Sequence, residues 1–114
     1  MITVHGLKNC DTCRNAQKWL KSENLEFSFH DVRVDGLTEE MVSRWISTLG
    51  WEALLNRRGT TWRKLSDGEK QDVDGESARA LMLSYPALIK RPVFDTGKQV
   101  IVGFKDAEKA VLKG

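Results

Sequence analysis

Cysteine is scarce in this 114-residue chain: there are two, with two histidines beside them. So few cysteines cannot make a disulfide framework, and the fold must rest on a packed interior, for which 40% hydrophobic residues suffice in one domain over residues 1–114. Long apolar runs are missing too: stretches such as Val100–Val102 fall far short of the roughly 20 residues of a membrane span. The N-terminus lacks the basic, then apolar, then small-residue order of a signal peptide. These absences lead us to expect a cytoplasmic protein with no membrane partner. In that compartment thiols stay reduced, and paired cysteines there serve catalysis, redox sensing or metal binding more often than stapling. A net charge of +2 is too small to announce a nucleic-acid protein. Internal repeats, low-complexity tracts and dividing linkers are also lacking.

Both cysteines fall in one motif, Cys10-Asp11-Thr12-Cys13. It stands between a strand-like run, Ile2-Thr3-Val4-His5-Gly6, and a helix-like run from Asn15 to Glu23 with Ala16, Trp19 and Leu20 on one face. A sulfur at a helix N-terminus meets unpaired backbone N–H groups and the positive end of the helix dipole, both of which favour the reactive thiolate. Lys8 and Arg14 push in the same direction, and Asp11 opposes them. Cys13 then falls inside the first helical turn, covered by Ala16 and the strand. Zinc would need two further ligands, and His5 and His30 lie at no recognised spacing from the pair, so no metal is expected.

Downstream, Leu25–Asp31 alternates as a strand returning beside the first. Thr38 looks like an N-cap for a helix whose face is Met41, Trp45, Ile46 and Leu49, stopped by Gly50. Short helices are expected at Trp51–Asn56 and Ser77–Tyr85, the latter with Ala78, Leu81, Met82 and Tyr85 on one face. Val93–Asp95 and Gln99–Val102 read as a hairpin turning at Thr96-Gly97-Lys98. Asp106–Leu112 closes the chain as a helix with Ala107, Ala110 and Val111 inward. The order β-α-β, helical insert, β-β-α predicts an α/β, thioredoxin-like fold: a mixed four-stranded sheet of a parallel βαβ and an antiparallel ββα unit, with a helical insertion over about 37–89.

The segment Asn56-Arg57-Arg58-Gly59-Thr60-Thr61-Trp62-Arg63-Lys64 carries four cations and no acid. It reads as a solvated loop or as an anion-binding element, because a guanidinium offers a fixed fork of donors to a carboxylate or oxyanion. With one interleaved ring and a near-neutral chain, direct nucleic-acid binding is not expected.

Taken with the motifs Gly6-Leu7-Lys8-Asn9-Cys10-Asp11-Thr12, His30-Asp31-Val32-Arg33-Val34-Asp35-Gly36-Leu37, Leu49-Gly50-Trp51-Glu52-Ala53-Leu54-Leu55-Asn56, Arg58-Gly59-Thr60-Thr61-Trp62-Arg63-Lys64-Leu65 and Ile89-Lys90-Arg91-Pro92, the chain resembles the ArsC/Spx family of thioredoxin-like proteins over nearly its full length. Within it the likeness is greatest to the small YffB-type members, proposed as glutathione-dependent thiol reductases. The resemblance implies a nucleophile at Cys10, a possible resolving thiol at Cys13, and catalytic arginines at Arg58 and Arg91. It implies substrate-binding roles for Lys8, Asn9, Thr12, Arg57 and Pro92, the last in a cis peptide, with either Arg57 or Arg58 as the pocket arginine. Glutathione would be co-substrate beside a disulfide substrate, with no tightly bound cofactor. Two departures stand out. Glutathione-dependent arsenate reductases carry a further arginine where this chain reads Val102-Gly103-Phe104, which argues against arsenate as substrate. Cys13 stands where close relatives carry another residue, and Spx has its own second cysteine there. The alternative implied by that likeness is a redox-switched regulator binding RNA polymerase.

Overall fold

The computed structural model describes residues 2–114 and resolves into two compact units, one running through Gly36 and resuming at Arg91–Gly114, the other Leu37–Lys90. In the first unit, β1 (Ile2–Gly6) lies between β2 (Phe27–Asp31) and β3 (Val93–Asp95), and β4 (Val100–Val102) completes the order β2-β1-β3-β4. β1 pairs parallel with β2 and antiparallel with β3, and β3 with β4 antiparallel, giving the mixed sheet expected from the sequence.

Register explains the core. Phe29, Val4, Phe94 and Ile101 form one cross-strand row, so they share a face of the sheet, and Ile2 joins Val4 on it two residues away. Onto that face α1 (Asp11–Ser22) lowers Ala16 and Leu20, and the C-terminal helix, Asp106–Lys113, lowers Leu112. Leu112 is the buried residue of that last helix. Ala107, Ala110 and Val111, expected inward, are exposed, because the helix sets its final turn rather than its middle against the sheet. Trp19, Leu25, Phe27 and Phe104 close the edges of this core.

α1 begins at Asp11, earlier than the apolar pattern alone suggested, so that Cys10 itself occupies the N-cap. β2 starts at Phe27 rather than Leu25, since the Leu25 amide is spent on the Leu20 carbonyl, closing α1. The hairpin forms as expected, with Gly97 at φ +87° and its amide held by the Asp95 carboxylate.

The second unit is helical. Its helices are α2 (Glu39–Leu49), α3 (Trp51–Leu54), α4 (Thr60–Lys64), α5 (Asp67–Lys70) and α6 (Gly75–Ser84), followed by a 3₁₀ turn at Pro86–Leu88; the C-terminal helix of the first unit is α7. Thr38 caps α2 as expected, its Oγ1 accepting the Met41 amide at 3.1 Å. Val42 and Trp45 are the buried residues of α2, a narrower stripe than the predicted face. α6 starts two residues earlier than expected because Asp74 caps it in a box with Ser77. α3 stops at Leu54, and Leu55 instead makes a bridge to Ile89. The basic segment is not a loop throughout: Thr60–Lys64 is a helical turn, and a second capping box, Ser66 with Glu69, starts α5 directly after it. Among the described residues no helix is long and apolar enough to cross a membrane.

One glycine in the first unit is fixed by packing. A Cβ on Gly6 would collide with the Cys13 sulfur, so the end of β1 is bare where the first turn of α1 crosses it. Gly6→Ala should therefore cost about 1–3 kcal/mol. In a double-mutant cycle of thermal or denaturant unfolding, Cys13→Ala should recover part of that loss, leaving a coupling of about 1 kcal/mol. Strict additivity would show that the two residues do not press on each other.

Candidate active site

The first unit brings Cys10, Cys13, Arg91 and Pro92 together where β1 turns into α1. β1 ends at Gly6, whose carbonyl accepts the Val32 amide at 3.0 Å, and the chain turns through Leu7–Cys10, closed by the Cys10 amide on the Leu7 carbonyl at 3.2 Å. Lys8 and Asn9 are exposed on this turn, and Thr12 is exposed on the first turn of α1. Cys10 is half-buried and Cys13 fully buried, both as free thiols.

Their ionisation is split. Burial alone would raise the Cys10 thiol. The Cys13 backbone N–H, the Arg91 guanidinium, the Cys13 thiol and the Arg91 charge outweigh it and hold Cys10 below its ordinary value of 9.0. The Cys13 amide acts here by proximity to the sulfur, short of an aligned capping hydrogen bond. For Cys13, burial dominates, and the neighbouring Cys10 sulfur adds to it, so its thiol is pushed up to about 11 against the lowering effects of the Leu7 backbone and Arg91. One sulfur is therefore the readier thiolate, and the other is a protonated, covered thiol.

Arg91 reaches this site from the strand side. It is half-buried, and the peptide it makes with Pro92 is cis, as the resemblance implied. The Pro92 carbonyl already accepts the Gly103 amide at 2.9 Å, which ties the turn to the end of β4. The stretch that lacks the third arginine is committed to packing: Phe104 meets Trp19 edge-on at 5.8 Å and Phe94 at 6.3 Å.

Arg57 and Arg58 belong to the second unit. The Arg57 guanidinium lies 5.2 Å from the Trp51 ring and 5.9 Å from the Trp62 ring, a cation held between two aromatic faces. The Arg58 amide is held by the Asn56 side chain at 3.0 Å, and the Arg58 carbonyl accepts from Arg63. His5 and His30 sit side by side on β1 and β2, ring centroids 5.1 Å apart. Among the described residues no three His, Cys, Asp or Glu side chains cluster as a metal site would require.

Sequence reasoning gave no role to Asp31. It is 3% exposed, and its carboxylate accepts backbone N–H groups from Lys8 at 2.9 Å, Arg33 at 2.8 Å and Val34 at 3.0 Å. Burial would raise its carboxyl, but these three donors and the Lys8 charge overcome that and lower it. The signal available in sequence was its place at the end of a strand, just before the Val32–Asp35 turn.

Two measurements follow from this asymmetry. Iodoacetamide should modify Cys10 at neutral pH while Cys13 stays unmodified until strongly alkaline pH. Arg91→Ala should slow Cys10 alkylation at pH 7 by roughly three- to tenfold, since a hydrogen bond to a charged partner is lost. Equal reactivity of the two sulfurs, or an Arg91→Ala rate equal to wild type, would refute the assignment.

Comparison with known proteins agrees with this geometry. The ArsC family matches residues 5–111. The chain is 42% identical over 108 residues to an uncharacterized protein of Haemophilus influenzae, covering 95% of each. To the global transcriptional regulator Spx of Streptococcus pneumoniae it is 26% identical over 110 residues, covering 95% of this chain and 82% of that one. Among solved structures, the YffB (PA3664) protein superposes with a TM-score of 0.94 at 39% identity over the whole of both chains. With a thiol of lowered pKa at the strand-to-helix turn of a mixed four-stranded sheet, and this match from His5 to Val111, the chain belongs to the ArsC family of thioredoxin-like proteins.

Proposed function

We propose that this protein is a thiol-disulfide oxidoreductase that acts through Cys10 and takes its electrons from glutathione, working in the cytoplasm without a tightly bound cofactor. The observation that carries the reading is the split between a Cys10 thiol held below 9.0 and a Cys13 thiol at about 11. In the first step the Cys10 thiolate attacks one sulfur of a disulfide. A Cys10–sulfur bond forms, the substrate S–S bond breaks, and the other half leaves as a thiolate that takes a proton from solvent. Arg91 favours the attacking thiolate by charge and hydrogen bond.

Resolution has two routes with the same balance. In the direct route a glutathione thiolate attacks the Cys10 sulfur of the mixed disulfide, releasing the substrate thiol and leaving glutathione on Cys10. A second glutathione then attacks that glutathione's sulfur, giving oxidised glutathione and free Cys10. In the other route the Cys13 thiol loses its proton and attacks Cys10, releasing the substrate thiol and leaving a Cys10–Cys13 disulfide that two glutathiones reduce to the same products. Its high pKa makes Cys13 slow to deprotonate, so we favour direct resolution by glutathione.

Of the two candidate arginines, we assign anion binding to Arg58, because Arg57 is engaged on the Trp51 and Trp62 faces. Lys8, Asn9 and Thr12 are exposed around the thiol and suit substrate contact. Arsenate is a poor candidate substrate, since no arginine follows Arg91. A second reading rests on the Cys10–Cys13 pair and the likeness to Spx: a redox-sensing protein whose partner is RNA polymerase.

The test is turnover of a small disulfide with glutathione. Cys10→Ser should abolish it, and Arg58→Ala should raise the KM for glutathione roughly tenfold, the loss of one charge-assisted contact. Arg57→Ala should instead lower stability by about 1 kcal/mol. Mass spectrometry of the enzyme during turnover should find glutathione on Cys10. A Cys10–Cys13 bond in its place selects the dithiol route. No turnover, with capture of RNA polymerase by the oxidised protein, selects the second reading.

A further inference from the structure

We infer that Asp31 is a positioning residue for the reactive thiol: its buried carboxylate fixes the peptide of Lys8, and through it the turn that presents Cys10 to the Cys13 amide and Arg91. The inference rests on Cys10 being the working nucleophile.

The backbone of Lys8 is held at both of its peptide groups. Its N–H donates to Asp31 Oδ2 at 2.9 Å, and its carbonyl accepts from Arg14 Nε at 3.1 Å. Arg14 is in turn held by Asp11 at 3.2 Å, on the first turn of α1. Lys8 lies between the end of β1 and Cys10, so holding the peptide planes before and after it sets the direction in which the chain enters the helix. Asp31 is itself immobilised: Oδ1 accepts the Arg33 and Val34 amides, its own amide donates to Asp35 Oδ2 at 2.8 Å, and its carbonyl accepts the Asp35 amide at 2.8 Å. It sits in register with Gly6 at the end of the parallel β1–β2 pair. The end of β2 is thus tied into a turn that reaches the β1–α1 connection twice, through the Val32 amide on the Gly6 carbonyl and through the Asp31 carboxylate on the residue two before Cys10.

A carboxylate placed to act by its charge would oppose the thiolate. This one acts by geometry, because a buried anion satisfied by three amides is a fixed anchor, and a fixed anchor keeps the thiol where the Cys13 N–H and Arg91 reach it. The two roles have opposite signs on substitution. Removing a negative charge near a thiol favours the thiolate and lowers its titration midpoint. Loosening the turn weakens both contacts that stabilise the thiolate and raises it.

Asp31→Asn separates these signs. The amide keeps the shape and one oxygen for the Arg33 and Val34 amides, but places an NH₂ against the Lys8 N–H. The experiment follows the pH dependence of Cys10 alkylation in the full chain by tandem mass spectrometry. The expected result is a higher Cys10 midpoint and an alkylation rate at pH 7 lowered roughly three- to tenfold, with circular dichroism unchanged. A midpoint that falls or stays put overturns the inference. Should Asp31→Asn fail to fold, Arg14→Lys decides. That residue is exposed and the charge is kept, but the fixed Nε–H on the Lys8 carbonyl is lost; the midpoint should again rise, and an unchanged one refutes the clamp. Alkylation needs no substrate, so a wild type inactive on disulfides would sink the proposed function and leave this result standing.

Discussion

The chemistry of this chain hangs on where one strand stops. β1 is hydrogen-bonded along both edges, parallel to β2 and antiparallel to β3, and so it cannot slide without breaking two ladders at once. Its Ile2 and Val4 point into the apolar layer under α1 and α7, and that burial fixes the register. Gly6 ends the strand with no side chain, the Cys13 sulfur fills the space a Cβ would take, and the helix must therefore begin within the next few residues. Cys10 has the N-cap because the strand, the bare glycine and the buried sulfur together leave it nowhere else.

Two identical functional groups three residues apart acquire different acidities from this arrangement alone. Desolvation raises both thiols, yet one is turned toward an amide and a guanidinium and the other into the apolar layer, beside a sulfur that disfavours a second negative charge. Arg91 arrives from the far side of the insertion, at the start of the second half of the sheet, so the site in the first unit is assembled from the two ends of the sequence.

Much of this was legible beforehand. Alternating and helical periodicities gave the order of elements, the mixed sheet and most helices, because each element buries one face, and the strand-to-helix placement of Cys10-x-x-Cys13 anticipated a thiol at the start of α1. What escaped the pattern was set by contacts rather than periods. The basic segment looked like a loop because α4 is a single turn with no buried residue, too short for an apolar stripe to register. The inward residues of α7 were misplaced because only its last turn meets the core, where Leu112 rather than Ala107 or Ala110 is covered. Asp31 was passed over because a carboxylate at a strand end looks like any turn residue until its three amide partners are seen. The engagement of Arg57 on Trp51, six residues upstream, was likewise invisible to any local rule.

Gly103 bears on how this protein could change its trade. Its φ of +102° is a conformation that L side chains rarely adopt, and a Cβ there would lie 3.0 Å from Glu108 Oε1, the oxygen that holds the Lys105 amide at the start of α7. Grafting an arginine at that point, to rebuild an oxyanion cradle of the arsenate-reducing kind, would therefore disturb the entry to the last helix and the tie between Gly103 and Pro92. A lineage seeking that activity from this backbone meets a strained backbone and a displaced cap at this residue before it gains a useful cation.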